Sequence, residues 1–132
     1  MALVRACGLH QPDSTPCGRP MSISEAHALM EIAREQPLTQ GELARKLKLD
    51  KSTVSRLVGL LDVRGWINRD RAAHDGRVAQ LTLTDAGLRA ERDLAQARAA
   101  RFAAVFDNIP AVERDRVFRS ILTLVEAFRD AD

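Results

Sequence analysis

The side chains with the clearest chemistry lie in a short stretch that begins at Lys51. Ser52, Ser55, Arg56 and Gly59 are spaced i, i+3, i+4 and i+7, so on a helix they share one face. Serine hydroxyls and a guanidinium are the groups that hydrogen-bond to base edges in the major groove of DNA, and glycine lets a backbone come close. The start of such a helix also favours a phosphate. The alternative is an ordinary surface helix with a serine- and threonine-rich first turn.

The opposite face of this stretch is apolar, which predicts that one side of the helix packs and the other stays exposed. Asp50 can cap this helix and Gly65 can stop it, so we expect it to run from Lys51 to about Arg64. The apolar positions are Val54, Leu57, Val58 and Leu61.

Two further helices are predicted upstream, each from a capping box. The pattern Thr-Gln-Gly-Glu at residues 39–42 begins a short helix that ends near Lys48, which leaves about three residues before the next helix, as a helix-turn-helix requires. The pattern Ser-Ile-Ser-Glu at residues 22–25 begins a helix that ends near Pro37. Residues 1–20 contain several prolines and glycines, so we expect a short helix or arm followed by a loop.

A β-hairpin is predicted downstream, with a strand starting at residues 66–69, a turn at 73–76 and a return strand at 78–83. Arg69, Arg71 and Arg77 flank this turn. An arginine at a hairpin tip can enter a narrow minor groove, and Asp75 could orient Arg77 by a hydrogen-bonded pair. The alternative is a solvated turn with a weak surface ion pair.

The remaining residues predict two helices. Thr84 or Asp85 caps a long alanine-rich helix that reaches about Phe106, and Pro110 begins a last helix. The expected fold is mainly α with a small β-hairpin wing. Residues 1–21 form an arm or short helix, 22–84 a winged helix-turn-helix lobe, and 85–132 a linker and dimerisation region. The last helix carries an apolar stripe made by Val117, Phe118, Ile121, Leu122, Val125 and Phe128.

Composition supports this organisation. The chain has 132 residues, 45% hydrophobic and 4% aromatic, which favours helices packed on helices. Residues 41–78 hold nine basic and five acidic side chains, net +4, whereas residues 1–40 and 79–132 are each net −1. A localised basic surface fits phosphate contact, and a solvated mixed-charge surface is the alternative. No apolar run is long enough for a membrane span or a signal peptide, so we expect a cytoplasmic protein.

The motifs in this order resemble the MarR family of bacterial transcriptional regulators. The resemblance covers about residues 22–130 and includes Leu-Asp-Lys-Ser-Thr-Val-Ser-Arg at 49–56, Arg-Gly-Trp-Ile-Asn-Arg at 64–69, Asp-Gly-Arg at 75–77 and Leu-Thr-Leu-Thr-Asp-Ala-Gly at 81–87. It implies a homodimer on a pseudo-palindromic site in double-stranded DNA, with the helix at 51–64 in the major groove and Arg77 in the minor groove. It also implies a dimer interface built from the terminal helices, although here only about twenty residues precede the Ser22 cap.

The DNA contacts that we predict come from the start of the short helix, from the helix after it and from the hairpin. They are Thr39, Gln40, Lys51, Ser52, Thr53, Ser55, Arg56, Gly59, Arg69, Arg71, Asp75 and Arg77.

The resemblance also implies control of DNA binding, because family members bind a small anionic or phenolic ligand or sense oxidation or a metal. The candidates here are Cys7, Cys17 and His27, with His10 near Cys7. Ordinary alternatives are a small buried hydrophobe for each cysteine and a surface position for each histidine. We expect no resident metal, no cofactor and no enzymatic activity. The prediction is a DNA-binding regulator, most often a repressor, released by an effector; the alternatives are a thiol- or metal-responsive regulator and a protein-interaction module that does not bind DNA.

Overall fold

The computed structural model describes residues 2–71 and 79–131, and of Arg71 it describes the backbone alone. Helices dominate, with one small sheet, which confirms the predicted fold class. The chain divides into two compact units, Met1–Arg98 and Ala99–Asp132. The described elements are α1 (Ala2–Ala6), α2 (Ile23–Glu35), β1 (Leu38–Thr39), α3 (Gln40–Leu47), α4 (Lys51–Val63), β2 (Ile67–Arg71), β3 (Ala79–Leu83), α5 (Asp85–Asp107) and α6 (Ala111–Asp130).

Side-chain caps begin three helices of the first unit, at the residues that the sequence predicted. The Ser22 N–H donates to Glu25 Oε2 at 2.7 Å, and the Glu25 N–H donates back to the Ser22 hydroxyl at 3.2 Å. Thr39 and Glu42 make the same reciprocal pair at the start of α3. Asp50 caps α4. These caps satisfy backbone donors that have no partner inside the helix, so each start is fixed locally.

Two left-handed residues end α3 and α4. Lys48 adopts φ 52° after α3, which turns the chain sharply enough for α4 to begin at Lys51. Gly65 adopts φ +69° after α4. Its N–H donates to the Asp62 carbonyl at 2.8 Å, and the Trp66 N–H donates to the Leu61 carbonyl at 3.0 Å. This pair of bonds closes the helix, and glycine takes the left-handed conformation without a Cβ penalty.

The sheet has three antiparallel strands in the order β1-β3-β2, with Leu38 opposite Leu81 and Ile67 opposite Leu83. The predicted β2–β3 hairpin is confirmed, and β1 is a third strand that the sequence did not predict. β1 has two residues, too few to show the alternation that identifies a strand. The turn predicted at residues 73–76 lies outside the described residues.

The core of the first unit lies between α2, α3, α4 and the sheet. The apolar face of α4 is buried in it as predicted, and Leu94 of α5 joins it at 3% exposed. Truncating one such side chain to alanine costs about 2–5 kcal/mol, so this core holds the helix-turn-helix firmly. Its largest fully buried residues are Leu29, Ile32, Leu43, Val54, Val58, Leu61 and Leu81.

The second unit holds the end of α5 and the whole of α6. Pro110 precedes α6, as predicted, and the Arg114 Nε donates to the Ile109 carbonyl at 3.0 Å across the turn. None of the described residues of α6 is buried. Across the described part of the chain, no helix is both long and apolar enough to cross a bilayer.

Candidate nucleic-acid interface

α4 separates its two faces sharply. Leu57 and Val58 are 5% and 0% exposed on the packed side. The opposite side, here called the polar face of α4, consists of Lys51, Ser52, Ser55, Arg56 and Gly59. Its first four members are exposed and Gly59 is half-buried. The structure therefore places the four residues whose spacing suggested contact with DNA on one face, together with Lys51.

Asp50 lies at the N-terminus of α4 and accepts hydrogen bonds from the hydroxyls of Ser52 and Thr53. The Ser52 hydroxyl donates to Asp50 Oδ1 at 2.6 Å, the Thr53 hydroxyl to Oδ2 at 2.6 Å, and the Thr53 N–H to Oδ1 at 2.9 Å. The hydrogen bonds from Ser52 and then Thr53 lower the pKa of Asp50 well below its ordinary value. The carboxylate already complements the helix dipole there, so the phosphate-binding capacity expected at this terminus is partly used. Ser52 and Thr53 keep lone pairs as acceptors.

Lys51, Ser55 and Arg56 supply the donors that remain on the polar face of α4. Lys51 and Arg56 form no ion pair with any carboxylate in residues 2–71 or 79–131. Arg56 Nη2 lies 3.5 Å from the Thr53 hydroxyl, a marginal contact that leaves the guanidinium able to turn outward. A forked donor of this kind suits the O6 and N7 atoms of guanine.

Gly59 has no internal packing reason to be glycine. A Cβ built there meets nothing within 4 Å. Glycine inside a helix costs about 1 kcal/mol relative to alanine, so the protein keeps a weaker helix at a site where alanine would fit. A ligand backbone that approaches this face closely would account for the choice.

Thr39 and Gln40 start α3. The Thr39 hydroxyl donates to Glu42 Oε2 at 2.8 Å and accepts from the Glu42 N–H at 3.2 Å, so it serves the cap. The hydrogen bonds that the Thr39 N–H and then the Thr39 hydroxyl donate to Glu42 Oε2 lower the pKa of Glu42 below its ordinary value. Gln40 is half-buried in the first turn of α3. The structure therefore gives Thr39 a local role that the sequence also predicted from the capping box.

Ion pairs neutralise several basic side chains of residues 41–78, here called the basic segment. Lys46 Nζ lies 2.6 Å from Glu35 of α2. Arg64 Nε lies 2.7 Å from Glu25 of the same helix. The positive charge available on this surface is therefore smaller than the segment's net +4, because acidic residues of the preceding helix fold back onto it.

The wing is described only at its base. Arg69 Nη1 lies 3.6 Å from Asp62 of α4, so this arginine faces the helix–strand junction. The Arg71 backbone lies opposite Ala79 in the sheet. Asp75 and Arg77, the residues predicted for the tip, lie outside the described residues.

Thr84 and Gly87 join the start of α5 to the end of α4. The Thr84 hydroxyl donates to the Gly65 carbonyl at 2.7 Å and accepts from the Gly87 N–H at 3.0 Å. The Thr84 N–H donates to the Trp66 carbonyl at 3.0 Å. The sequence predicted the cap but not this junction, because nothing in the local pattern shows which carbonyls face Thr84.

Three of the candidate sensor residues lie in the segment between α1 and α2, and His27 lies in α2. Cys7 and Cys17 are half-buried, with no disulfide formed, and Cys17 Sγ lies 3.1 Å from the Thr15 hydroxyl. His10 and His27 are exposed. Within the described ranges, no three or more His, Cys, Asp or Glu side chains are grouped in a way that could hold a metal ion.

A helix-turn-helix whose second helix exposes a polar basic face, followed by an antiparallel wing, defines a winged-helix DNA-binding protein. Comparison with known proteins narrows the class. A family model described as "MarR family" matches residues 20–78. An HTH-type transcriptional regulator of Mycobacterium bovis is 29% identical over 132 residues, which cover 98% of this chain and 87% of the relative. A Bacillus cereus HTH-type regulator is 29% identical over 106 residues, 80% of this chain and 69% of that protein.

Solved structures of transcriptional regulators have the same fold as this chain. The PcaV transcriptional regulator of Streptomyces coelicolor superposes with a TM-score of 0.77 at 25% identity, over 97% of this chain and 92% of that one. Streptococcus pneumoniae FabT, solved in complex with DNA, has the same fold, with a TM-score of 0.76 at 22% identity over 98% of this chain and 88% of its own. The chain is therefore similar to the MarR family of transcriptional regulators over residues 20–78, and to solved transcriptional regulators over nearly its whole length. That family is a class of DNA-binding regulators, not of enzymes.

Proposed function

We propose that this protein is a transcriptional repressor that acts in the cytoplasm as a homodimer on a pseudo-palindromic operator. The observation that carries the proposal is the polar face of α4, because Lys51, Ser55 and Arg56 are exposed opposite a fully packed apolar face. A helix held this way can enter a major groove without losing its own packing.

Each residue of that face has a distinct role in the proposal. Arg56 contacts a base edge, most simply guanine, and Ser55 contacts a neighbouring edge. Lys51 contacts a phosphate, and Gly59 lets the helix backbone approach the DNA. Arg77 extends from the wing into the minor groove, oriented by Asp75, and Arg71 contributes a phosphate contact at its base.

The homodimer is supported by α6. Its apolar side chains are exposed, for example Phe118 at 52%, Ile121 at 49% and Phe128 at 69%. A contiguous stripe of large apolar side chains in water is unfavourable, and a second copy of the same helix would cover it. The two α4 helices would then contact half-sites about 34–36 Å apart on one side of the DNA.

Release by a small molecule completes the proposal. One solved structure of PcaV, 27% identical to this chain, is described as a complex with its natural ligand. An effector that prefers a dimer with the wrong spacing between the two α4 helices would lower DNA affinity in proportion to that preference.

Selection of genomic DNA fragments on the purified protein tests the core of the proposal. We expect enrichment of an inverted repeat at about 150 mM salt with competitor DNA present, because nonspecific phosphate binding is weak under those conditions. A folded dimer that enriches no sequence would contradict the proposal and favour a protein-interaction role. Size-exclusion chromatography with light scattering tests the dimer separately.

Two variants then test the polar face of α4 on the selected duplex. Arg56→Ala should weaken specific binding about 5- to 150-fold, because one good bidentate base contact carries about that much discrimination. Lys51→Ala should instead weaken all sequences similarly and make the salt dependence shallower by about one unit of slope. Arg34→Ala is the matched control, because it removes one positive charge from α2, where Arg34 Nε lies 3.6 Å from Glu35. If Arg34→Ala weakens binding as much as Arg56→Ala, the assignment is wrong.

A further inference from the structure

Glu25 is a buried carboxylate at the start of α2. Its side chain is 6% exposed. One oxygen accepts from the Ser22 N–H at 2.7 Å, and the other accepts from Arg64 Nε at 2.7 Å. Burial alone raises the pKa of this carboxyl, but the hydrogen bonds from Ser22 and Arg64, with the Arg64 charge, bring it below its ordinary value. Glu25 is therefore an ionised group whose charge is answered inside the fold.

Arg64 is engaged on three sides. Besides Glu25, its Nη2 donates to the Pro20 carbonyl at 3.3 Å. Its guanidinium carbon lies 4.7 Å from the centre of the Trp66 ring. A planar guanidinium held by a carboxylate, a carbonyl and an aromatic face has one orientation, and a lysine cannot reproduce it.

The Glu25–Arg64 pair connects the end of α4 to the start of α2. Arg64 is the C-cap of α4, the residue directly after Val63, and Glu25 lies in the first turn of α2. The pair joins two helices at 39 residues' separation in sequence. The other end of α4 is set by its Asp50 cap and by the turn at Lys48. The Glu25–Arg64 pair thus holds the C-terminal end of α4 against α2, whereas the turn of the helix-turn-helix holds only its N-terminal end.

We propose that Glu25 and Arg64 are positioning residues that set the orientation of α4 for DNA recognition, and that Arg64 itself contacts no DNA. This inference rests on the proposed DNA-binding function. The competing interpretation counts Arg64 with the other basic residues of its segment, as a phosphate contact that Glu25 partly neutralises.

The two interpretations predict changes of opposite sign in DNA affinity for the substitution Glu25→Gln. It removes a negative charge, keeps the size of the side chain and retains an oxygen for the Ser22 N–H. If Arg64 contacts phosphate, its release raises DNA affinity. If the pair positions α4, affinity for the selected duplex falls about tenfold, the effect expected when a buried charge-assisted hydrogen bond is lost. The salt dependence then stays that of the wild type, because no phosphate contact is lost.

Arg64→Lys is the second variant, and it keeps the positive charge. A phosphate contact survives this change, so wild-type affinity for the selected duplex would overturn the proposal. A loss of about tenfold for that duplex, with unchanged affinity for a scrambled duplex, supports it. The double variant Glu25→Gln/Arg64→Lys should lose little more than either single variant, because both disrupt one interaction.

Trp66 gives a readout without DNA, because it is the only tryptophan in the chain. Its emission should change in the free folded protein for both variants, since the guanidinium leaves the ring. Circular dichroism at the assay temperature checks that each variant is folded. Wild-type protein that binds no duplex would refute the proposed function. Wild-type protein that binds, with both variants binding equally well and Trp66 emission unchanged, would refute the positioning role alone.

Discussion

Gly87 packs against the chain at the end of α4, and replacing it with alanine tests how tightly that junction is built. A Cβ at Gly87 would lie 2.0 Å from the Trp66 carbonyl oxygen and 2.9 Å from its carbonyl carbon. Carbon contacts essentially never fall below 3.0 Å, and the obstacle is backbone, so the junction itself must move. The same carbonyl oxygen accepts the Thr84 N–H at 3.0 Å, so that hydrogen bond is strained with it.

The expected loss follows from three terms. Overpacking of this kind costs about 1–3 kcal/mol. A lost hydrogen bond adds about 1 kcal/mol. The higher helix propensity of alanine returns about 1 kcal/mol. Gly87→Ala should therefore lower the free energy of unfolding by about 1–3 kcal/mol, which moves the urea midpoint down by about 1 M.

Gly59→Ala is the matched control, because the same change in α4 meets nothing within 4 Å. It should raise the free energy of unfolding by up to about 1 kcal/mol. If Gly59 admits a DNA backbone, this stabilised variant should also bind the selected duplex more weakly. Both variants are followed by circular dichroism in urea at one protein concentration, since a dimer's stability depends on concentration. A Gly87→Ala protein as stable as Gly59→Ala would refute the packing argument.

Three other measurements follow from the same contacts. Thr84→Val should cost about 1–2 kcal/mol in urea unfolding, because Val cannot donate to the Gly65 carbonyl, whereas Thr84→Ser should be near wild type. Asp50→Ala should lower the unfolding midpoint because the Thr53 N–H loses its acceptor, and Asp50→Asn should restore most of it; equal midpoints would contradict the capping role. Glu25 has a lowered pKa in the folded state, so its stabilising effect is complete above the unfolded glutamate value of about 4.3 and is lost as pH falls below it. Acid unfolding should therefore be shallower for Glu25→Gln, and parallel curves would contradict this.

The helices of this protein could be predicted because local signals mark their ends. Ser22, Thr39 and Asp50 are caps, and Gly65 supplies a left-handed stop, so each boundary depends on residues within a few positions of it. The apolar side of α4 followed from helical spacing alone. β1 could not be predicted in this way, because its pairing with β3 joins residues about forty positions apart and leaves no periodic pattern.

The candidate site was predictable in its exposed residues and not in its ion pairs. Spacing places Ser55 and Arg56 together, since both lie on one helix. It cannot show that Lys46 and Arg64 face acidic residues of α2, because those contacts depend on how two helices pack. Counting charges along the chain therefore overestimated the positive surface.

Thr39 fixes the number of residues between β1 and α3. It is at once the last residue of β1, opposite Gln80, and the N-cap of α3. No linker residue separates the sheet from the helix-turn-helix, so neither can shift along the chain without the other. A single inserted residue here would either break the cap or shift β1 by one position, which would turn the buried Leu38 toward solvent. Insertions and deletions during evolution should be excluded from this junction, even where the surrounding side chains vary freely.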